Sequence, residues 1–182
     1  MNIVLIGFRC TGKTSVGKAL SQQLKMEFID ADDYLEKKHG YTVRDMFQKK
    51  GESSFRLLES DSLSELARMD GKVIAAGGGA VLWYKNIRNL KRHAVLILLE
   101  ADAATVFERM KRDPRTTSQR PPLSRKDPYE EIVEQMELRR PYYFKAADHS
   151  VDTRAKTVEM IMEEVLGVLR RTGFDFGDGT SA

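Results

Sequence analysis

NIVLIGFRCTGKT, residues 2–14, runs a short apolar segment straight into a glycine-rich turn that ends on a lysine and a threonine. The apolar part, NIVLIG at 2–7, has the unbroken character of a strand buried on both faces of a parallel sheet. Gly7 to Thr14 matches G-x-x-x-x-G-K-[ST], and apolar residues at helical spacing follow it: Val16, Ala19, Leu20 and Leu24. Strand, loop and helix in that order make a phosphate cradle. Backbone N–H groups of Gly7, Cys10, Thr11, Gly12 and Ser15 can wrap nucleotide phosphates, aided by the partial positive charge of the helix N-terminus. Lys13 can reach the β and γ phosphates, and the Thr14 hydroxyl can ligate a divalent cation, Mg²⁺.

Outward from this stretch, KVIAAG (72–77) and AVLILL (94–99) are further buried-strand runs, with EFI (27–29) and ADHSV (147–151) as weaker ones. Helical patterns lie between them: Ala103, Val106, Phe107 and Met110; Ile132, Val133 and Met136; and Val158, Ile161, Met162, Val165, Leu166 and Leu169. The alternation predicts an α/β domain with right-handed crossovers and a ligand crevice at the carboxyl ends of the strands. Two segments break the rhythm. Residues 31–70 carry helical patterns without a strand and read as an insertion. Residues 113–126, DPRTTSQRPPLSRK, are proline-rich and read as an exposed loop. Asp127, Pro128 and Glu130 then supply an N-cap, an N1 proline and a capping-box partner for the next helix.

The 182 residues suit one domain, which buries roughly 70% of its unfolded surface. Thirty Lys plus Arg against 27 Asp plus Glu leave a formal charge of +3, too balanced to argue for nucleic acid or an anionic membrane. The longest apolar run falls far short of the ~20 residues that span a bilayer. With one cysteine, Cys10, and no signal-like start, the chain is expected to be a cytoplasmic protein, with a monomer the simplest state. His39, His93 and His149 match no metal-ligand spacing.

The phosphate motif alone covers many NTP-using proteins. No N-K-x-D guanine-reading signature accompanies it, and the third strand runs into Gly77, Gly78 and Gly79 rather than an acidic pair. Those glycines either allow close backbone approach to a small ligand or form a tight turn before a helix expected near 82.

Taken in order, GFRCTGKT, FIDADDYLE (28–36), FRLLE (55–59), AAGGGA (75–80), RPPL (120–123) and LRRPYY (138–143) resemble the shikimate kinase family over about residues 2–170. The resemblance implies a three-layer α/β P-loop fold like that of the nucleoside monophosphate kinases. Its five-stranded parallel sheet has the order 2-3-1-4-5, with helices on both faces. It further implies a single kinase domain over 1–170, a substrate-binding helical insertion at about 31–62 and a mobile lid at about 111–126; the remaining 171–182, ending in the Gly-rich GFDFGDGTSA, reads by composition as a frayed tail. The implied reaction moves the γ-phosphoryl of ATP, with Mg²⁺, to the 3-hydroxyl of shikimate. The alternatives are another small-molecule kinase, such as a gluconate kinase, or a catalytically silent nucleotide-binding module.

Carried onto this chain, the resemblance places Arg56 and Arg139 as a clamp on the substrate carboxylate, which a guanidinium fork pairs bidentately. Arg56 could instead form a salt bridge with Glu59 or Glu52. Glu59 would orient the arginine or meet a substrate hydroxyl, and Gly77–Gly79 would border the substrate. Arg120 matches a lid arginine that neutralises the transferring phosphoryl group, while Arg109 and Arg154 fall on the adenine side. Of the aspartates in FIDADDYLE, Asp30 would hold Mg²⁺ through its water shell, and Asp32 would bind the acceptor hydroxyl and take its proton. Asp33 reads as a cap or first-turn charge.

The chain departs from the family pattern in three places. Cys10 stands where glycine is usual, so a left-handed backbone there costs about 1 kcal/mol. The lid is longer between Arg109 and Arg120, and RPPL replaces R-P-L-L. The doublet Arg139 and Arg140 is resolved to Arg139 by its R-x-P spacing to Pro141.

Overall fold

A computed structural model describes residues 1–113 and 127–174. Five parallel strands form one sheet: β1 (Asn2–Ile6), β2 (Glu27–Asp30), β3 (Lys72–Ala75), β4 (Ala94–Glu100) and β5 (His149–Asp152), in the order β2-β3-β1-β4-β5. Around them lie α1 (Lys13–Leu24), α2 (Ala31–His39), α3 (Val43–Leu66), α4 (Tyr84–Leu90), α5 (Ala103–Arg112), α6 (Pro128–Ala146) and α7 (Val158–Arg171). The fold class and strand order are those implied by the sequence.

The apolar runs are continuous because each central strand is covered on both faces. On β1, Ile3 and Leu5 join Val16 and Leu20 of α1, Ile97 and Leu99 of β4, and Ile161, Val165 and Leu169 of α7. Val4 and Ile6 point the other way, into a cluster with Leu63, Leu66, Leu96, Leu98, Val106 and Ile132. Each fully buried Leu or Ile contributes roughly 2 kcal/mol of transfer free energy, so these two layers anchor the carboxyl ends of the strands. Gly17, inside α1, is dictated by packing: a Cβ there would stand 2.5 Å from the Phe28 ring of β2.

The insertion has its own small core of Leu35, Met46 and Phe55. Its long helix α3 is broken at Gly51, where φ is 76° and ψ 166°. Beyond the break, Leu63 and Leu66 tie the helix to the main core. After β3 the glycines lead into a 3-10 turn (Ala80–Leu82), and the regular helix begins at Tyr84 rather than 82. Asp127 caps α6, accepting from the Tyr129 and Glu130 N–H groups, with Pro128 in its first turn. The helix α7 runs to Arg171 and Phe174 is buried against the α1–α7 layer, while the rest of the expected tail, 175–182, lies outside the described residues. Among the described residues no helix is long and apolar enough to cross a membrane.

Candidate active site

The loop after β1 bends back over the N-terminus of α1 because two of its glycines adopt conformations other residues resist. Gly7 has φ 144°, and a Cβ on it would meet the Leu99 carbonyl oxygen at 2.5 Å. Gly12, the N-cap of α1, has φ 101°. The Thr11 hydroxyl, buried, donates to the Phe8 carbonyl at 2.9 Å and pins the loop from inside. Lys13 Nζ donates to the Gly7 and Phe8 carbonyls at 2.9 and 2.7 Å, so its ammonium is held across the mouth of the cradle. Ser15 lies exposed at the crevice edge. Cys10 takes the left-handed conformation, φ 59°, that the missing glycine makes costly. Its thiol donates to Asp113 at 3.5 Å, and its carbonyl accepts from Arg109 at 3.4 Å.

Asp30 ends β2 and has two roles. One carboxylate oxygen caps α2 by accepting from the Asp32 N–H at 3.1 Å, and the other accepts from the Thr14 hydroxyl at 2.8 Å. The capping role considered for Asp33 therefore falls to Asp30, and Asp33 is an exposed first-turn charge. A hydroxyl and a carboxylate side by side at the phosphate loop are hard oxygen donors. Such a donor set fits Mg²⁺, which takes one or two protein oxygens and completes its shell with phosphate and water.

Facing the cradle across a crevice of about 770 Å³ are Asp32, Arg56, Glu59, Gly78, Gly79 and Arg139. Arg56 and Glu59 form a 2.8 Å ion pair with both residues buried, and Glu52 approaches Arg56 at 3.4 Å. Both ion pairs posed against the clamp reading are present, and they hold the guanidinium inside the crevice. Burial pushes the Glu59 carboxyl above the usual carboxylate range, opposed by Arg56 and Arg139. Arg139 is held by Gln135, which accepts from it at 3.0 Å one turn earlier on α6, and it lies over the Phe8 ring. Arg140 is exposed and stacks on Phe144.

The glycine triplet acquires a physical reason. A Cβ on Gly77 would stand 2.8 Å from Asp32 Oδ1 and 2.9 Å from Glu59 Oε1, and one on Gly79 would collide with the Arg56 guanidinium, 2.6 Å from Nη2. The strand end is bare so that three side chains from α2 and α3 can lie on it. Gly78 instead faces the phosphate loop, 3.5 Å from the Arg9 nitrogen by the same construction.

At the far end, Arg109 lines the crevice and donates to the Thr153 carbonyl at 2.7 Å and its hydroxyl at 3.0 Å. Arg154 is not brought there. Its guanidinium is half exposed and pairs with Asp152 at 2.7 Å and Asp102 at 3.7 Å, holding the Asp152 carboxyl down at about 2. Arg120 and nearly all of the expected lid lie outside the described residues.

Several contributors carry no signature in the sequence. Phe47 and Phe55 flank the Arg56 guanidinium with ring centroids 5.7 and 5.2 Å away. Arg9 joins the phosphate loop to Glu131 of α6 at 3.4 Å, and buried Thr153 anchors Arg109. Phe55 and Arg9 lie inside the FRLLE and GFRCTGKT elements, but at positions to which those elements assign no role.

A phosphate loop on a 2-3-1-4-5 sheet, facing a buried Arg56–Glu59 ion pair across a crevice, is the arrangement of a P-loop kinase of a small molecule. A model of the shikimate kinase family matches residues 9–170. The chain belongs to the shikimate kinase family. It is 41% identical over 165 residues to the shikimate kinases of Thermodesulfovibrio yellowstonii and Caldanaerobacter subterraneus subsp. tengcongensis, covering 91% of this chain and 92% and 94% of theirs. Its fold is similar to that of the shikimate kinase from Acinetobacter baumannii in complex with shikimate. The TM-score is 0.88 at 30% identity, over 94% of this chain and 93% of that one.

Proposed function

We propose that the protein transfers the γ-phosphoryl group of ATP to the 3-hydroxyl of shikimate, giving shikimate 3-phosphate and ADP, by means of the residues lining this crevice. The observation that carries the reading is the convergence of Asp32, Arg56 and Glu59 on the glycine triplet, with Arg139 beside them, opposite the phosphate loop. Shikimate is a carboxylate with three hydroxyls. Arg56 and Arg139 suit its carboxylate, each charged hydrogen bond contributing about 1.5–3 kcal/mol when shielded from water. Asp32 and Glu59 suit its hydroxyls.

In the reaction the acceptor oxygen forms a bond to γ-phosphorus, the bond from that phosphorus to the β–γ bridging oxygen breaks, and the hydroxyl proton passes to Asp32. Lys13 and the loop N–H groups stabilise the charge spread over the phosphates. Thr14 and Asp30 would hold Mg²⁺, which when bound neutralises phosphate oxygens. Arg120 is assigned to the transferring phosphoryl group and Arg109 to the adenine end, whereas Arg154, paired on the surface, receives no role. We assign the kinase domain to 1–170, with the substrate insertion at about 31–62 and the lid at about 111–126. We also read the enzyme as a monomer, the simplest state for a chain of this size, and as cytoplasmic, since a lone thiol suits a reducing compartment.

The test is ADP release with Mg·ATP against shikimate, gluconate and several nucleoside monophosphates. Turnover is expected with shikimate alone, and preferred turnover of another acceptor, or of none, would sink the assignment.

A further inference from the structure

Tyr143 lies near the end of α6 with 5% of its surface exposed, four residues beyond Arg139 and hence on the same face of the helix. Its hydroxyl donates to the Gly78 carbonyl, 65 positions away in the chain. The carbonyls of the glycine triplet differ in what they bind. Those of Gly77 and Gly79 accept from the Ala80 and Leu82 N–H groups of the following 3-10 turn, each at 3.0 Å. The Gly78 carbonyl is held by a side chain from another element. Burial pushes the Tyr143 hydroxyl up to about 12, against the nearby Arg139 and Arg56, so it stays protonated and able to donate across the working pH range.

Gly78 also lies beside the phosphate loop. A Cβ on it would come 3.5 Å from the Arg9 nitrogen and 3.8 Å from the Gly7 carbonyl oxygen. Its neighbours Gly77 and Gly79 carry the acceptor-side groups Asp32, Glu59 and Arg56.

We propose that Tyr143 is a positioning residue: through its hydrogen bond to Gly78 it sets the separation between the phosphate loop and the acceptor clamp. The role rests on the phosphotransfer reading above and deepens it. The hydroxyl performs no chemistry. It fixes a strand end that bears acceptor-side groups on one side and lies beside the phosphate loop on the other, and in-line transfer is sensitive to misplacement of about 1 Å.

The test is Tyr143→Phe, which keeps the ring and its packing and removes the hydroxyl, and with it both the bond to the Gly78 carbonyl and the hydrogen bond with Arg139. The expected result is a fall of about tenfold in kcat/KM for shikimate, with KM for ATP within about twofold of wild type and an unchanged melting temperature. Combined with Arg139→Lys, the loss is expected to be smaller than the product of the two separate losses, because both act on one clamp. Wild-type kinetics in Tyr143→Phe would overturn the role, as would equal weakening of both substrates with a lowered melting temperature, the pattern of a merely structural residue. The unsubstituted protein assayed alongside separates the two ideas. Shikimate turnover with unchanged Phe-variant kinetics overturns the positioning role alone, and no shikimate turnover overturns both.

Discussion

The two sides of the crevice are built in opposite ways. The phosphate side is one stretch of chain, residues 7–15, folded onto the end of β1 and the start of α1. Local contacts shape it, Lys13 to Gly7 and Phe8 and Thr11 to Phe8, and Arg9–Glu131, Cys10–Asp113 and Arg109–Cys10 tie it to α5 and α6. The acceptor side draws Asp32 from α2, Arg56 and Glu59 from α3, a glycine triplet from the end of β3 and Arg139 from α6. Its supports also differ. The phosphate loop stands on the two layers that sandwich the sheet, whereas the insertion has its own core of three buried side chains and a helix broken at Gly51. A single stretch seated on a large core is stiff. One assembled from separate elements can move, and segments with few buried contacts are the ones that open at low free-energy cost.

The sharpest way to break this division is Lys13→Ala. Turnover is expected to fall by about a thousandfold or more with the melting temperature and shikimate affinity retained, because the lysine serves the phosphate side alone. Steady-state kinetics with isothermal titration would check it, and a large loss of shikimate affinity would show that the sides are not separable. Next in size is Asp32→Asn, expected to cost about a hundredfold in kcat, set against Asp33→Asn, expected to change it less than twofold. Reversal of that order would reassign the acceptor base.

A smaller, more selective effect is expected at the glycines. Gly79→Ala pushes a methyl group into the Arg56 guanidinium and is expected to raise KM for shikimate about tenfold while sparing ATP; Gly78→Ala, whose Cβ has 3.5 Å of clearance, is expected to be milder. Equal effects at the two positions would remove the reason given for the triplet.

The mildest expected effect is in pH dependence. The Glu59 carboxyl is raised by burial, so as pH falls it takes up a proton above the ordinary carboxylate range and loosens its hold on Arg56. An acid limb in kcat/KM for shikimate is expected in that range, absent in Glu59→Gln. Stability moves in the opposite sense. The folded protein binds this proton more tightly than the unfolded chain, so the associated stabilisation is present at low pH and lost as pH rises through the folded value. A profile unchanged by Glu59→Gln would exclude the residue from the limb.

Much of the fold was legible because β1, β3 and β4 occupy the middle of the sheet, buried on both faces, and leave unbroken apolar runs. The edge strands β2 and β5 are half-solvated, with burial too partial to leave such a run, so EFI and ADHSV read weakly. The phosphate loop was legible for a related reason: its function needs backbone conformations that only a fixed local spacing of glycines supplies. Arg56 and Arg139 were reached by resemblance, since an arginine on a helix has no pattern that separates a buried clamp from a solvated charge. Phe47, Gln135 and Thr153 were not reached at all, and Tyr143 lay inside LRRPYY with no role assigned to it.

By itself, then, the amino-acid sequence determined the α/β alternation, the phosphate loop with Lys13 and Thr14, and the carboxylates at the end of the second strand, because each is set by neighbours within a few positions. Only the tertiary structure decided why three glycines follow β3, and that Arg154 turns outward to Asp152. Those outcomes depend on side chains arriving from elements tens of residues away, and contacts of that range are settled by packing rather than by local spacing.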